Sequence, residues 1–266
     1  MSFERQGAPG APEDALTARP FPGLSTLNQA SSIPLDIHDI GPPSILTQQD
    51  IEAFVDLLLA CPEDEVIQEF QGLIALGCPV SHVLGTFLAG SANALGERWE
   101  QDTCSFADVT LGMAVIHRLL RQFSDLLIGE VPSVSGAPTV LVTPLPGETH
   151  IFAVALLAEY FRAAGWRVLS GINAKLRNIL ESVAANQVGV VAISVTGQDK
   201  IAPTQKFVQQ LRHRSKDTNM RVLVGGPPFM SRPSLQRDVG ADATAVDALA
   251  ALETARHLLA TPTKGE

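Results

Sequence analysis

The feature that most constrains the fold is a change in hydrophobic period near residue 138. From there, apolar runs rich in Val, Ile and Leu cover residues 139–143, 166–170, 188–195 and 220–224, with a short run near Ala243. Helical patterns separate these runs at about 150–164, 173–185, 202–213 and 231–238, and a last one covers about 247–259. Such alternation is typical of a parallel sheet covered by helices on both faces. We therefore predict an α/β domain over residues 138–262, with a flavodoxin-like (Rossmann-type) five-stranded parallel sheet.

The segment before this domain has the 3.6-residue period of α-helices. The predicted helices begin near Thr47, Pro62, Pro79 and Ser105, and the last reaches about Leu127. Four helices joined by short connections predict a four-helix bundle over residues 45–130. Residues 1–44 are rich in Pro, Gly, Ser and Ala and show little periodicity, so we expect a flexible arm there.

Composition narrows the classes of function. The net charge is −9, with a pI near 5.1 and no Lys/Arg cluster, which disfavours direct binding of nucleic acid. No apolar run has the length of a membrane span, and no signal peptide is evident, so we expect a cytoplasmic protein. Cys61, Cys78 and Cys104 are widely spaced and are expected to be reduced thiols.

Polar and glycine residues follow three of the predicted strands. Glu148 and His150 come after the first strand, Ser194 and Thr196 end the third, and Gly225-Gly226-Pro227 ends the fourth. In a sheet of order 2-1-3-4-5, ligands bind at the carboxyl ends of these strands, where the order reverses. Each motif also has a simpler interpretation, namely a helix-start histidine with a capping acid, strand-forming hydroxyl residues and an ordinary turn. Their coincidence at one edge favours a ligand site.

His150 is the candidate metal ligand. Its predicted position near a helix N-terminus disfavours the imidazolium form, and a neutral imidazole is the form that binds a metal. Glu148 is placed to accept a hydrogen bond from the other ring nitrogen, which would fix the tautomer. No Gly-x-Ser-x-Gly motif is present and no serine is placed for His150 to activate, so we do not expect a hydrolase.

These motifs resemble the signature of cobalamin-binding domains. The resemblance rests on Glu148-Thr-His150-Ile-Phe-Ala153, Ser194-Val-Thr196, Gly225-Gly226 and Gly240-Ala-Asp-Ala-Thr244. It implies that His150 is the lower cobalt ligand and that the strand and glycine motifs line a groove for the nucleotide tail. The implied cofactor-binding set is Trp99, Gly147, Glu148, Thr149, His150, Ile151, Phe152, Ser194, Val195, Thr196, Gly225, Gly226 and Pro227.

The bundle resembles the helical cap that covers the upper face of cobalamin in related regulators. The matching segments are Leu95-Gly-Glu-Arg-Trp99-Glu and Ser105-Phe-Ala-Asp108. The resemblance implies that Trp99 lies against the corrin, with core packing as the alternative. Three departures stand out: Glu148 replaces the usual Asp, Ala153 replaces the usual Gly, and Val109-Thr110 stands where light-sensing relatives carry Glu-His. His117 lies further along and is expected to be a bundle residue.

The whole arrangement is similar to the AerR/PpaA antirepressors of photosynthetic bacteria. That similarity implies a regulator, not an enzyme, which binds hydroxo- or adenosylcobalamin in a light-responsive way. Its implied partner is a transcriptional repressor protein of photosystem genes, without direct contact to DNA or to a membrane. Two alternatives remain open: a corrinoid shuttle protein for a methyltransferase, and a haem-based redox sensor. The tail-groove motifs favour cobalamin over haem, because haem has no nucleotide tail.

Overall fold

The computed structural model describes residues 46–261, so the predicted arm lies outside the described residues. Its amino-terminal part is helical, as predicted. Helix α1 covers Gln48–Ala60, α2 covers Glu63–Ala75, and α5 covers Phe106–Phe123, followed by a 3₁₀ turn over Ser124–Leu127. Thr47 and Ser105 begin α1 and α5 through capping boxes, in which each hydroxyl accepts from the backbone three residues on.

The third helix differs from the prediction of one regular helix. It begins as α3, Val80–His82, continues as a π-helical segment over Val83–Leu88, and ends as α4, Ala89–Glu100. The periodicity of the apolar residues gave no sign of this change in winding. A tyrosine of the sheet domain, Tyr160, donates a hydrogen bond to the Ser81 C=O in this helix.

The carboxy-terminal part forms the predicted parallel sheet, in the order β2-β1-β3-β4-β5. The strands are β1 Thr139–Pro144, β2 Arg167–Ser170, β3 Val190–Ser194, β4 Arg221–Gly225 and β5 Ala243–Ala245. The helices between and after them are α6 Phe152–Ala163, α7 Leu176–Ala185, α8 Ile201–Arg214, α9 Pro227–Ser231, α10 Leu235–Asp238 and α11 Ala248–Ala260, with a 3₁₀ turn over Gln198–Lys200. The sheet and its order agree with the predicted fold class.

The predicted helix over 231–238 was wrong in its limits. Helix α9 begins earlier, with prolines in its first turn, and ends at Ser231. Pro233 prevents the helix from continuing, because a proline disfavours helical backbone at the residue before it. Arg232 accordingly has an extended backbone (φ −142°, ψ 83°). A separate short helix, α10, follows.

Two hydrophobic clusters fill the molecule. One lies on a single face of the sheet and includes residues of α7, α8 and α10. The other is continuous from the bundle to the opposite face of the sheet, and it includes Phe87 of the bundle together with Phe152 and Tyr160 of α6. Bundle and sheet domain therefore share a core instead of meeting at a polar surface. Within residues 46–261, no helix combines the length and apolarity required to cross a membrane.

Candidate cofactor site

The carboxyl ends of four strands lie level with one another. Pro144 of β1 pairs in register with Ser194 of β3, Ser194 with Gly225 of β4, and Gly225 with Ala245 of β5. The segments that carry the predicted site residues leave the sheet directly after this row. Sequence motifs separated by about 50 and 80 residues thus reach one edge of the sheet, as the predicted strand order required.

The loop after β1 carries the candidate metal ligand. The Glu148 N–H donates to the Leu145 C=O over 3.0 Å, which closes a turn that exposes Gly147 and Thr149. Helix α6 begins only at Phe152, with Ile151 as its N-cap residue, so His150 lies two residues before the helix and not in its first turn. Its imidazole is 76% exposed and therefore accessible to a ligand outside the chain.

The three polar side chains of this edge form one chain of contacts. The Thr196 hydroxyl donates to Glu148 Oε2 over 2.8 Å, and His150 Nδ1 lies 3.8 Å from the same oxygen. The Glu148 side chain is only 8% exposed. The sequence motifs identified all three residues, but not the direct contact of Thr196 with Glu148. Thr196 lies two residues beyond the end of β3.

This arrangement suits an imidazole that binds a metal through its second nitrogen. Glu148 Oε1 is buried and has no hydrogen-bond partner among the described residues. A buried carboxylate oxygen without a partner is costly, so the carboxylate can gain a bond when a donor approaches. A movement of the ring by roughly 1 Å would bring Nδ1–H to ordinary hydrogen-bond distance from Glu148. Nε2 would then stay free to bind a metal.

The end of β4 has a tight backbone that explains its second glycine. Gly226 has φ +110° and ψ 174°, a region that only glycine adopts readily, and a Cβ there would overlap the Val195 C=O. Gly226 is therefore required by the fold itself. A Cβ on Gly225 would lie 3.2 Å from the Ala245 C=O, which is close but tolerable. Ser194 is half-buried at the same level, and Pro227 is exposed.

The bundle contributes both exposed and buried groups. Trp99 is 48% exposed at the end of α4, so it does not pack in the core, and its proposed contact with a corrin stays a prediction. His117 of α5 makes an edge-to-face contact with Phe152, with ring centroids 5.3 Å apart. Burial, with a smaller contribution from the charge of Arg121, lowers the pKa of His117. This histidine therefore lies in the bundle, as expected, but at its junction with the sheet domain.

Sequence analysis missed several residues near these elements. Phe106 and Leu111 of α5 are 73% and 67% exposed, and Val246, directly after β5, is 63% exposed. Each stands in a helical or strand pattern that gave no reason to expect an exposed side chain. Phe106 could have been identified from its position next to the capping Ser105, and Val246 from its position at the carboxyl end of a strand, but no sequence signal marks Leu111.

Comparisons with known proteins agree with this geometry. Residues 138–253 match the family described as B12 binding domain. A protein of Rhodobacter capsulatus, named as an uncharacterized 20.5 kDa protein in the bchF-crtJ intergenic region, is 26% identical over 179 residues, which cover 67% of this chain and 91% of that protein. The structure of the monomethylamine corrinoid protein of Methanosarcina barkeri superposes with a TM-score of 0.64 at 16% identity, over 80% of this chain and 99% of that one. The last comparison shows a shared fold.

Proposed function

We propose, because residues 138–253 match the B12 binding domain family, that this chain is a light-responsive cobalamin-binding regulator. In this proposal it acts as an antirepressor, by contact with a protein that represses photosystem genes. The observation that carries the proposal is the chain of contacts Thr196–Glu148–His150 at the carboxyl edge of the sheet. This group of residues places the accessible imidazole of His150 next to the buried carboxylate of Glu148, in the loop after β1.

Cobalamin, when bound, would supply a cobalt centre with a light-labile bond to an alkyl group. The residues of the chain then have separate tasks. His150 would bind the cobalt through Nε2, Glu148 would accept a hydrogen bond from Nδ1–H, and Thr196 holds Glu148 in place. Ser194 and the Gly225-Gly226 turn would line the nucleotide tail, and Trp99 would face the upper side.

The regulatory part of the proposal rests on context and charge. The Rhodobacter capsulatus relative is named for its place between bchF and crtJ, in a photosynthesis gene cluster. A net charge of −9 suits a protein partner with a basic surface better than DNA. The bundle and sheet domain share a core, so a change at the cofactor's upper face has a direct route to a bundle surface that a partner can contact.

Cofactor binding is tested first, by absorption spectroscopy. The full chain is mixed separately with hydroxocobalamin and with haemin and then desalted, and both are repeated with His150→Ala. We expect a retained corrin spectrum whose bands depend on His150. Retention of haem alone would replace the proposal with a haem sensor, and retention of neither would remove the cofactor function altogether. His213→Ala, at the exposed carboxyl end of α8, serves as the matched control, because it also removes an accessible imidazole.

The regulatory step needs a second experiment. The adenosylcobalamin-loaded chain, kept dark or illuminated, is tested for binding to a purified repressor of photosystem genes, with fluorescence anisotropy of the repressor's DNA as the readout. We expect illumination to change the affinity for the repressor at least tenfold. Equal binding in both states would contradict light control. In a separate test with the methylcobalamin-loaded chain, transfer of the methyl group to a thiol acceptor by a corrinoid-dependent methyltransferase would instead support the corrinoid shuttle.

A further inference from the structure

The junction between bundle and sheet domain contains a tyrosine inserted into a helix of the bundle. Tyr160, on α6, is fully buried. Its hydroxyl donates to the backbone C=O of Ser81 and accepts from the backbone N–H of Gly85. Ser81 and Gly85 are the two residues that an uninterrupted α-helix would bond directly to each other. The hydroxyl therefore occupies the place of one helical hydrogen bond.

This insertion explains the π-helical segment. The winding changes over Val83–Leu88, directly beside the inserted hydroxyl, and a group inserted into the helical ladder is a known cause of such distortion. Position 85 also requires glycine, because a Cβ there would overlap the tyrosine oxygen. The sequence thus provides both parts of the contact: the hydroxyl of Tyr160 on α6, and Gly85 on the bundle helix, which has no side chain in the way.

A second contact holds the same turn. Glu130, on the segment that joins the bundle to the sheet domain, accepts hydrogen bonds from the N–H groups of Val80 (3.0 Å) and Ser81 (2.7 Å). The linker and α6 therefore both form hydrogen bonds with the start of the same bundle helix. Tyr160 lies eight residues after Phe152, roughly 12 Å along α6 from the loop of His150.

We propose that Tyr160 is a reversible latch between the two domains. The segment that it contacts would change between a π-helical state, when the latch is closed, and a regular α-helical state, when it is open. In the latched state the hydroxyl bridges Ser81 and Gly85 and the bundle is held against α6. In the released state the tyrosine withdraws and the Ser81 C=O and Gly85 N–H bond to each other, which restores a regular α-helix. Release leaves no unpaired backbone group in the bundle helix, so this turn is suited to switching. The latch is a property of the chain without its cofactor.

A double-mutant cycle tests the two states of the turn. Gly85→Ala and Tyr160→Phe are made singly and together, and the urea midpoint of each full-length variant is measured. In the wild-type background we expect Gly85→Ala to lower the midpoint, because its methyl group overlaps the hydroxyl. In the Tyr160→Phe background we expect it to raise the midpoint or leave it unchanged, because alanine favours a regular helix. A similar loss in both backgrounds would overturn the proposal.

Release of the bundle is measured through Cys78. This buried thiol lines a cleft of about 490 Å³ together with Ser81 and Glu130, so the movement of the Ser81 turn in the released state opens the cleft and exposes the thiol. In a Cys61→Ser/Cys104→Ser background, we expect Tyr160→Phe to speed its reaction with a disulfide reagent by about tenfold, as for loss of one buried hydrogen bond.

The matched control is Phe161→Leu. Phe161 is the buried neighbour of Tyr160, but its ring packs on Trp166 within the sheet domain, with centroids 4.9 Å apart. We expect this variant to have a lower urea midpoint. Its Cys78 should be labelled no faster than this loss of global stability alone would cause. If Tyr160→Phe labels no faster than wild type, or if Phe161→Leu labels equally fast at equal stability, the latch is excluded. Neither measurement requires cobalamin, so failure of the latch and failure of the proposed function are separate results.

Discussion

At the scale of single residues, the candidate site depends on one buried carboxylate. Glu148 has a hydroxyl donor on one oxygen, an imidazole near that same oxygen, and a second oxygen without a partner among the described residues. The hydrogen bond from Thr196 keeps this side chain buried beside His150 instead of extended into solvent.

The first prediction concerns this carboxylate. Glu148→Gln should weaken the binding of hydroxocobalamin by 10- to 100-fold, because an amide orients the imidazole and raises its basicity less than a carboxylate does. Thr196→Val should weaken binding less, and Thr196→Ser should restore it, because serine keeps the donor to Glu148. Absorbance titrations of the cobalt-imidazole bands measure these affinities. Wild-type affinity in Glu148→Gln would mean that the carboxylate does not support the ligand.

A second prediction concerns His117 at the junction of the domains. Its pKa is lowered mainly by burial, so the folded protein binds this proton less readily than the unfolded chain does. The stability that neutral His117 contributes is fully present above pH 6.5 and is lost as the pH falls through the lowered pKa. Across that range, the free energy of unfolding should fall by up to about 1.4 kcal/mol per pH unit from this group.

Urea unfolding at a series of pH values measures this effect. His117→Phe keeps an aromatic ring against Phe152 and should flatten the dependence below pH 6.5. His213→Gln, at the exposed carboxyl end of α8, removes a histidine from outside the junction and serves as the control. Identical slopes in wild type and His117→Phe would show that other groups cause the acid sensitivity.

At the scale of elements, the start of α9 is the most constrained turn at the site. Gly226 combines a backbone conformation reserved for glycine with close approach to the Val195 C=O. Gly226→Ala should lower the free energy of unfolding by about 3 kcal/mol, while Gly225→Ala should cost much less, since its Cβ would lie 3.2 Å from the Ala245 C=O and needs only a small shift of that neighbour. Chemical denaturation of the full chain tests the pair. Equal losses would show that the strand end relaxes to admit a side chain.

Elements with a regular period could be predicted from sequence, and those set by distant contacts could not. The apolar runs gave the sheet, and Thr47 and Ser105 marked two helix starts, because these signals lie within a few residues. The π-helical segment depends on Tyr160, which contacts Ser81 across 79 residues of sequence. The pairing of Thr196 with Glu148 likewise joins residues 48 apart. The predicted strand order places those two loops at the same edge, but the contact between the side chains is evident only in the folded structure.

At the scale of the whole molecule, the shared core decides how the two parts behave. One hydrophobic cluster includes residues of α1, α2, α4 and α5 as well as α6, α11 and one face of the sheet. A bundle that packs through a continuous apolar core cannot leave the sheet domain without exposing that surface to water. Any regulatory movement is therefore expected to be a shift at the junction, where Tyr160 and His117 lie, rather than full separation.

The last prediction follows from this shared core. Thermal unfolding of the cofactor-free chain should show one cooperative transition for bundle and sheet domain together, with equal calorimetric and van't Hoff enthalpies. Cobalamin at 100 times its Kd should stabilise that joint transition by about 2.7 kcal/mol, and His150→Ala should lose most of this gain at the same concentration. Differential scanning calorimetry, with Trp99 and Trp166 fluorescence as probes of the two parts, measures both effects. Two separate transitions would mean that the junction is too weak to carry a signal from the cofactor to the bundle.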